Sequence, residues 1–234
     1  MDKECTEELD KLQTLFLSLL LAVPLTCARP ALAWDTKTLS MDNRISMRKL
    51  NLCVHLKKLD KDDLAKQVYE EQVKNGYPGL ARETQDLCEY FCIPDITKER
   101  LKEPSKAQWK KIIKEAVEKK NGMELKEKIL KMEKLEVMKN ESYGLKDYLS
   151  DLSLEDARML FRVRTKTLKC KMNQSRHNRE SLWKCKACGC IESQSHIMHC
   201  PAYQQLREGK SLENDEDLAI YFREVLKLRD QLNV

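Results

Sequence analysis

The residues that decide the architecture of this chain are 183–200, which read Trp-Lys-Cys-Lys-Ala-Cys-Gly-Cys-Ile-Glu-Ser-Gln-Ser-His-Ile-Met-His-Cys. Four of the ten cysteines and two of the four histidines lie in this stretch. The best set of four ligands is Cys185, Cys188, His196 and Cys200. A Cys-x2-Cys turn directs two thiolates at one ion, and a His-x3-Cys pair one helical turn apart can complete a tetrahedron. Because all four positions are filled by protein, the pattern predicts one structural Zn²⁺.

Two further residues of the stretch, Cys190 and His199, are spare ligands that could replace a neighbour. Gly189 and Cys190 fit the tight turn of a zinc knuckle. The alternatives are buried free cysteines, or disulfides if the chain is secreted, but in a reducing compartment this spacing is more typical of a metal site. The other cysteines show no comparable grouping and are expected to be small buried hydrophobes: Cys5, Cys27, Cys53, Cys88, Cys92 and Cys170.

The positive charge of the chain is concentrated just before this cluster. The chain has a net charge of +5, whereas residues 158–186 alone carry ten basic residues against one acidic residue, a net of +9. Such a run next to a zinc knuckle is typical of a protein that binds the phosphate backbone of RNA or DNA. The predicted phosphate contacts are Arg158, Arg162, Arg164, Lys166, Lys169 and Lys171. The alternative is a solvated helix face.

An aromatic residue stands between the basic run and the first metal ligand. Trp183 lies two residues before Cys185, and aromatic side chains of single-strand binders stack on unpaired bases. Stacking on a base and packing over the small zinc core are equally good interpretations of Trp183.

The composition of the whole chain favours helices. Charged residues make up 35% and apolar residues 41%, with only six Gly and six Pro in 234 residues, which excludes collagen-like, low-complexity and multi-span membrane proteins and disfavours a β-sandwich. We predict an all-α protein: an irregular helical bundle, a small zinc-knuckle segment, and a C-terminal amphipathic helix over 215–232. The predicted domains are 1–151 and 152–234.

Local signals place several helix ends. Ser40 and Ser153 are predicted N-caps, with Asp156 in a capping-box position. The turn signal Asn-Gly-Tyr-Pro-Gly at 75–79 predicts a break between helices. Residues 105–138 contain Asn121-Gly122 and predict two surface helices or one long interrupted helix.

The N-terminal region carries a nine-residue apolar run at 15–23 and a small-x-small pattern at 31–33. A secretory signal begins with positive charge, but residues 1–14 sum to −3. The spacing of Leu9, Leu12, Phe16 and residues 19–23 instead predicts an ordinary core helix buried on that face and stopped by Pro24. Nine residues are too few to span a bilayer, which needs about 20. We therefore expect an intracellular protein, in the nucleus or cytoplasm, that makes no contact with membranes.

Three segments of the C-terminal third carry a family likeness. They are Asp156-Ala-Arg-Met-Leu-Phe-Arg-Val-Arg, then Trp183-Lys-Cys-Lys-Ala-Cys, then Glu192-Ser-Gln-Ser-His-Ile-Met-His-Cys-Pro-Ala-Tyr. Together they resemble the C-terminal tail of reverse transcriptases from non-LTR retrotransposons. In that family a basic helix precedes a Cys-Cys-His-Cys zinc-binding segment, and the resemblance implies the same four ligands, Cys185, Cys188, His196 and Cys200. Residues 12–59 resemble the helical region after the polymerase palm and thumb. The resemblance is most specific over 155–210.

The chemistry of the polymerase does not carry over with this resemblance. Polymerases hold two Mg²⁺ ions with paired aspartates of a Tyr-x-Asp-Asp hairpin, and the sequence has no such motif. It also lacks a Gly-rich phosphate loop and the His-x-Glu of zinc deaminases. We predict a noncatalytic, nucleic-acid-binding fragment without a small-molecule substrate. The competing hypotheses are a zinc-stapled protein-interaction module, with a partner docked on helix 215–232, and a relic without selected function.

Overall fold

The computed structural model describes residues 3–98, 104–174 and 183–231. These residues form α-helices joined by turns, with 3-10 turns at 133–135 and 201–203 and two isolated β-bridges, and they contain no β-strand. The predicted all-α fold is confirmed. The α-helices are α1 (Lys3–Leu20), α2 (Arg29–Asp35), α3 (Met41–Lys57), α4 (Leu64–Asn75), α5 (Leu80–Tyr90), α6 (Lys106–Leu130), α7 (Glu136–Lys139), α8 (Tyr148–Asp151), α9 (Leu154–Arg164), α10 (Lys171–Gln174), α11 (Gln194–His199), α12 (Gln204–Arg207) and α13 (Asp215–Gln231).

The chain divides into two compact units. Unit 1 comprises Met1–Lys11 and Leu39–Lys126, and unit 2 comprises Leu12–Thr38 and Glu127–Val234. This grouping differs from the sequence-based boundary at 151/152, because residues 12–38 and 127–151 belong with the cysteine-rich segment. The reason is a set of long-range polar contacts. The Tyr148 hydroxyl and the Arg164 guanidinium both donate hydrogen bonds to the Asp35 carboxylate, at 2.8 and 3.0 Å.

Unit 1 is built from α3, α4 and α5 with part of α6, around a core of apolar side chains. The predicted helix ends are confirmed here: the Ser40 hydroxyl accepts the Asn43 backbone N–H at 3.2 Å, and α4 ends at Gly76, whose φ of 63° is left-handed. Glycine adopts that conformation without steric cost. The most deeply buried core residues are Leu50, Cys53, Tyr69, Cys88, Ile113 and Val117.

Helix α6 is continuous through Asn121-Gly122, so the sequence signal for an interruption is wrong at this point. The Asn121 side chain is buried. Its amide oxygen accepts hydrogen bonds from the Asn43 side chain at 3.0 Å and from the Ser40 backbone N–H at 3.4 Å. The asparagine therefore anchors the start of α3 instead of turning the chain.

The N-terminal helix forms as predicted, but the prediction of its buried face is only partly confirmed. Leu17 and Leu21 are buried, whereas Leu12, Phe16 and Leu19 are 61%, 64% and 67% exposed. Helical spacing identifies an apolar face, but the tertiary contacts decide which face is covered. No helix within the described ranges has both the length and the apolar character needed to cross a membrane.

In unit 2, α9 packs against α13. Phe161 of α9 and Phe222 and Val225 of α13 are fully buried. The Ser153 hydroxyl accepts the Asp156 backbone N–H at 3.2 Å, which confirms the predicted cap of α9.

The cysteines outside the cluster divide into two groups. Cys27, Cys53, Cys88 and Cys170 are buried as predicted, whereas Cys5 and Cys92 are exposed. Burial raises the pKa of the Cys53 thiol, so these buried side chains stay protonated and behave as small hydrophobes.

Candidate metal centre and basic residues

The first half of the candidate metal centre is a tight turn. The Cys185 backbone N–H donates to the Cys190 carbonyl at 2.6 Å, and the Gly189 N–H donates to the Cys185 carbonyl at 2.8 Å. Gly189 has a φ of 78°, a left-handed conformation that favours glycine. The turn confirms the knuckle geometry predicted from the Gly189-Cys190 pair.

The second half is a short helix that carries the histidine. The Ser193 hydroxyl caps α11 by accepting the His196 backbone N–H at 3.0 Å. Cys200 follows directly after the helix. The helix is held in unit 2 by Ile197, which is fully buried and whose carbonyl accepts the Tyr221 hydroxyl at 2.6 Å. The cap and the buried side chain thus fix the orientation of both C-terminal ligands.

The two halves bring Cys185, Cys188, His196 and Cys200 together, with all four ligand atoms within 4.8 Å of one another. Cys188 Sγ lies 3.7 Å from Cys200 Sγ and 3.3 Å from His196 Nε2. In a tetrahedral site with metal–sulfur bonds of about 2.3 Å, two sulfur ligands lie about 3.8 Å apart. The spacing of these ligand atoms therefore allows the group to hold a metal ion.

The spare ligands predicted from the sequence are not members of this group. His199 is exposed, and its Nδ1 lies 2.9 Å from the Ser195 carbonyl. The carbonyl of Cys190 closes the knuckle turn, and its side chain is exposed.

The thiols of the centre differ in acidity. Burial raises the pKa of Cys200 to about 11, whereas the backbone N–H of Cys190 lowers the pKa of Cys188. A metal ion binds the thiolate forms, so binding must displace protons, above all from Cys200, and acid weakens it.

A buried ion pair connects the knuckle to the rest of unit 2. Glu192 is 1% exposed, and its carboxylate lies 3.1 Å from the Arg229 guanidinium of α13. The same carboxylate accepts the Lys171 backbone N–H at 3.0 Å. Sequence reasoning missed this pair because its members lie 37 positions apart. The only local signal is a carboxylate within the cysteine-rich segment.

Two arginines of the basic run cap the end of α1. Arg158 Nε donates to the Leu20 carbonyl at 2.7 Å, and Arg162 donates to the Ala22 carbonyl through Nε at 2.9 Å and Nη2 at 2.5 Å. The last carbonyls of a helix have no partner within the helix. The Arg158 guanidinium satisfies that of Leu20, and Arg162 binds the turn that follows the helix. Each arginine retains N–H donors that these bonds do not use.

Arg164 forms ion pairs inside unit 2. Its guanidinium donates to Asp35 at 3.0 Å and to Glu141 at 2.6 Å, and its side chain is only 10% exposed. Burial lowers the pKa of Arg164, but the two carboxylates outweigh burial and raise it, so the group stays charged. We therefore assign Arg164 to the interior of unit 2.

The predicted lysines are the most accessible part of the basic run. Lys166 and Lys169 are exposed. Lys171 is half-buried and donates to the Lys184 carbonyl at 2.7 Å. Lys184 and Lys186 are exposed beside the knuckle. Two more basic residues of the run, Arg176 and Arg179, lie outside the described residues.

Trp183, the predicted stacking residue, is half-buried. Its indole N–H is buried and has no hydrogen-bond partner among the residues that the structure describes. Its backbone carbonyl accepts the Glu192 N–H at 2.6 Å, at the base of the knuckle. Base stacking by Trp183 stays a prediction.

Comparisons of the chain with protein-family models, with curated proteins and with solved structures give no match. The function proposed below rests on the metal centre and the basic residues.

Proposed function

We propose that this chain is a noncatalytic module that binds RNA or DNA. The observation that carries the proposal is the concentration of charge: residues 158–186 hold a net +9, and Lys166 and Lys169 within them are exposed. Nucleic acids attract such a surface through their phosphates, independently of sequence. The resemblance to the tails of retrotransposon reverse transcriptases supports the same function and an intracellular site of action.

We assign Zn²⁺ to the metal centre on the basis of its ligands. Three thiolates and one imidazole are the donors that zinc prefers, and they fill all four positions of a tetrahedron. Because no position is left for water or substrate, the ion has a structural role. It would fix the knuckle next to Lys184 and Lys186.

The competing hypothesis of a protein partner on the C-terminal helix has less support. Tyr221, Phe222 and Val225 of α13 are fully buried within unit 2, and Leu218, Ile220 and Leu228 are half-buried. The amphipathic pattern of this helix is thus accounted for by the fold.

The proposal is tested by the salt dependence of binding. Replacing Lys166 and Lys169 together by alanine is expected to weaken binding of a labelled oligonucleotide at least tenfold. The slope of log affinity against log salt is negative. For single strands its magnitude should fall by about 1.4, since each lost phosphate contact removes about 0.7. Fluorescence anisotropy over a salt series measures both.

The matched control is the double variant Lys61→Ala with Lys119→Ala, which removes the same charge from exposed positions in unit 1. It should retain the affinity and the slope of the parent chain. If the zinc-loaded chain bound neither single strands nor duplex at low salt, the proposed function would be wrong.

A further inference from the structure

Unit 2 contains a cleft of about 570 Å³ beside the end of α1. Its walls come from residues 22–28 and 162–173, with Lys134 at its side, and we call it the basic cleft. Sites for small molecules have volumes of about 300–1,000 Å³, so the basic cleft is large enough for a ligand of several functional groups.

The basic cleft is strongly positive. Four of its lining residues are cationic, namely Lys134, Arg162, Lys166 and Lys169, and none is acidic. Among the residues that the structure describes, no carboxylate pairs with these four groups. Arg162 donates to a backbone carbonyl, and Lys134, Lys166 and Lys169 are exposed. Burial and the neighbouring Arg158 guanidinium lower the pKa of Arg162. The charges are therefore uncompensated and attract an anion.

The remaining lining residues are of two kinds. Ala22, Pro24 and Ala28 supply apolar surface, with the buried Val23 and Leu168 behind it, and Thr26 and Thr167 supply hydroxyl groups. Cations, hydroxyls and an apolar wall in one concave site match the phosphate, the sugar and the base of a nucleotide.

We propose that the basic cleft seats one unpaired nucleotide of a single-stranded RNA or DNA. This inference rests on the proposed function and specifies the form of the nucleic acid. A duplex keeps its bases paired and stacked between its strands, so only its outer phosphates reach a concave site. A single strand can place a base and its phosphate in the basic cleft together.

Lys134 provides the most direct test, since it lines the basic cleft but lies outside the basic run. Lys134→Ala is expected to weaken binding of labelled oligouridine and oligothymidine of about 12 nucleotides. The affinity should fall about fivefold at 0.1 M salt, and the magnitude of the slope of log affinity against log salt should fall by about 0.7. Lys131→Ala is the matched control, because Lys131 is equally exposed and does not line the basic cleft. A duplex of equal length should bind more weakly than either single strand and should respond equally to both variants.

A second test uses the backbone of the basic cleft. Lys166 has a left-handed backbone conformation, with a φ of 52°, in the turn that follows α9. In this turn the Lys166 N–H donates to the Val163 carbonyl at 3.2 Å, and the Thr167 N–H donates to the Arg162 carbonyl at 2.9 Å. The sequence Thr-Lys-Thr recurs at 36–38 after α2. Lys37 there has the same φ of 52° and the same pair of hydrogen bonds, but it does not line the basic cleft.

Glycine is the usual residue at this position of a helix end. Lys166→Gly and Lys37→Gly should therefore both raise the melting temperature by about 2 °C. Only Lys166→Gly should weaken binding of the single strands, again about fivefold at 0.1 M salt. The rise in melting temperature shows that any lost affinity does not come from unfolding.

Three outcomes would overturn the inference. Binding to the duplex as tight as to single strands would place the contacts on an open surface. Equal affinities of the Lys134→Ala and Lys131→Ala chains would remove Lys134 from the site. If Lys166→Gly bound the single strands as tightly as the parent chain does, Lys166 would not belong to the site. In all three cases nucleic acid still binds and the proposed function stands, whereas a chain that binds no nucleic acid overturns both.

Discussion

Cys188→Ser is expected to leave the purified chain without its zinc and to unfold the segment 183–200. Cys188 is exposed, so the substitution removes a ligand and no core packing. Binding of a structural zinc ion contributes about 10–16 kcal/mol to the folding of zinc-finger peptides, and a site with three ligands retains only part of it. Elemental analysis should give one zinc per parent chain and well under one for the variant.

The control for this experiment is Cys190→Ser. Cys190 is an exposed cysteine two residues away and outside the ligand group, so the variant should keep one zinc per chain and the thermal stability of the parent. A chelator should lower the melting temperature of the parent and of the control, and leave Cys188→Ser unaffected. Full zinc content in Cys188→Ser would contradict the assignment of the ligands.

Arg164→Met is expected to lower the free energy of unfolding by about 3–5 kcal/mol. Asp35 is fully buried, and Arg164 is the cation that faces it at 3.0 Å. Removing one partner of a buried ion pair leaves the other charge without compensation, and that accounts for most of the cost. Urea unfolding followed by circular dichroism measures the loss as a lower midpoint with an unchanged slope.

Two further variants separate this mechanism from a simple loss of packing. Arg158→Met removes a single hydrogen bond from a half-buried arginine and should cost about 1 kcal/mol. The double variant Arg164→Met with Asp35→Asn removes the uncompensated charge and should be more stable than Arg164→Met alone. If the double variant were less stable, the buried charge would not be the cause.

Within the same cluster, Glu141 predicts a loss of stability in acid, whereas burial raises the pKa of Asp35 and gives that carboxyl the opposite pH dependence. Burial raises the pKa of Glu141, but hydrogen bonds from Arg164 and Lys146 outweigh burial and lower it from its ordinary value of 4.5. A carboxyl whose pKa is lowered by folding stabilises the protein above its unfolded pKa and loses this contribution as the pH falls through the folded value. The Glu141 contribution to stability should therefore be lost below about pH 4.5, and Arg164→Met, which lacks a hydrogen bond that lowers this pKa, should lose less of it over the same range.

The sequence was sufficient for features that depend on neighbours within a few residues. The caps at Ser40 and Ser153, the break at Gly76, the turn at Gly189 and the grouping of the four candidate metal ligands all follow from local hydrogen bonds and fixed spacing. Such bonds form within one or two turns of the chain, so the pattern of residues determines them.

Other features depend on which distant segments meet, and they are visible only in the folded chain. The arginines of the basic run looked equivalent in the sequence, yet Arg164 pairs with carboxylates far along the chain while Lys166 faces solvent. Lys134 joins the basic cleft from outside the run, and Asn121 anchors a helix that its sequence pattern would interrupt. Local patterns in the sequence were enough to predict the helices, the candidate metal ligands and the sign of the charge. The tertiary structure decided which charges are buried and which are exposed, because burial and ion pairing depend on contacts between segments that local patterns do not encode.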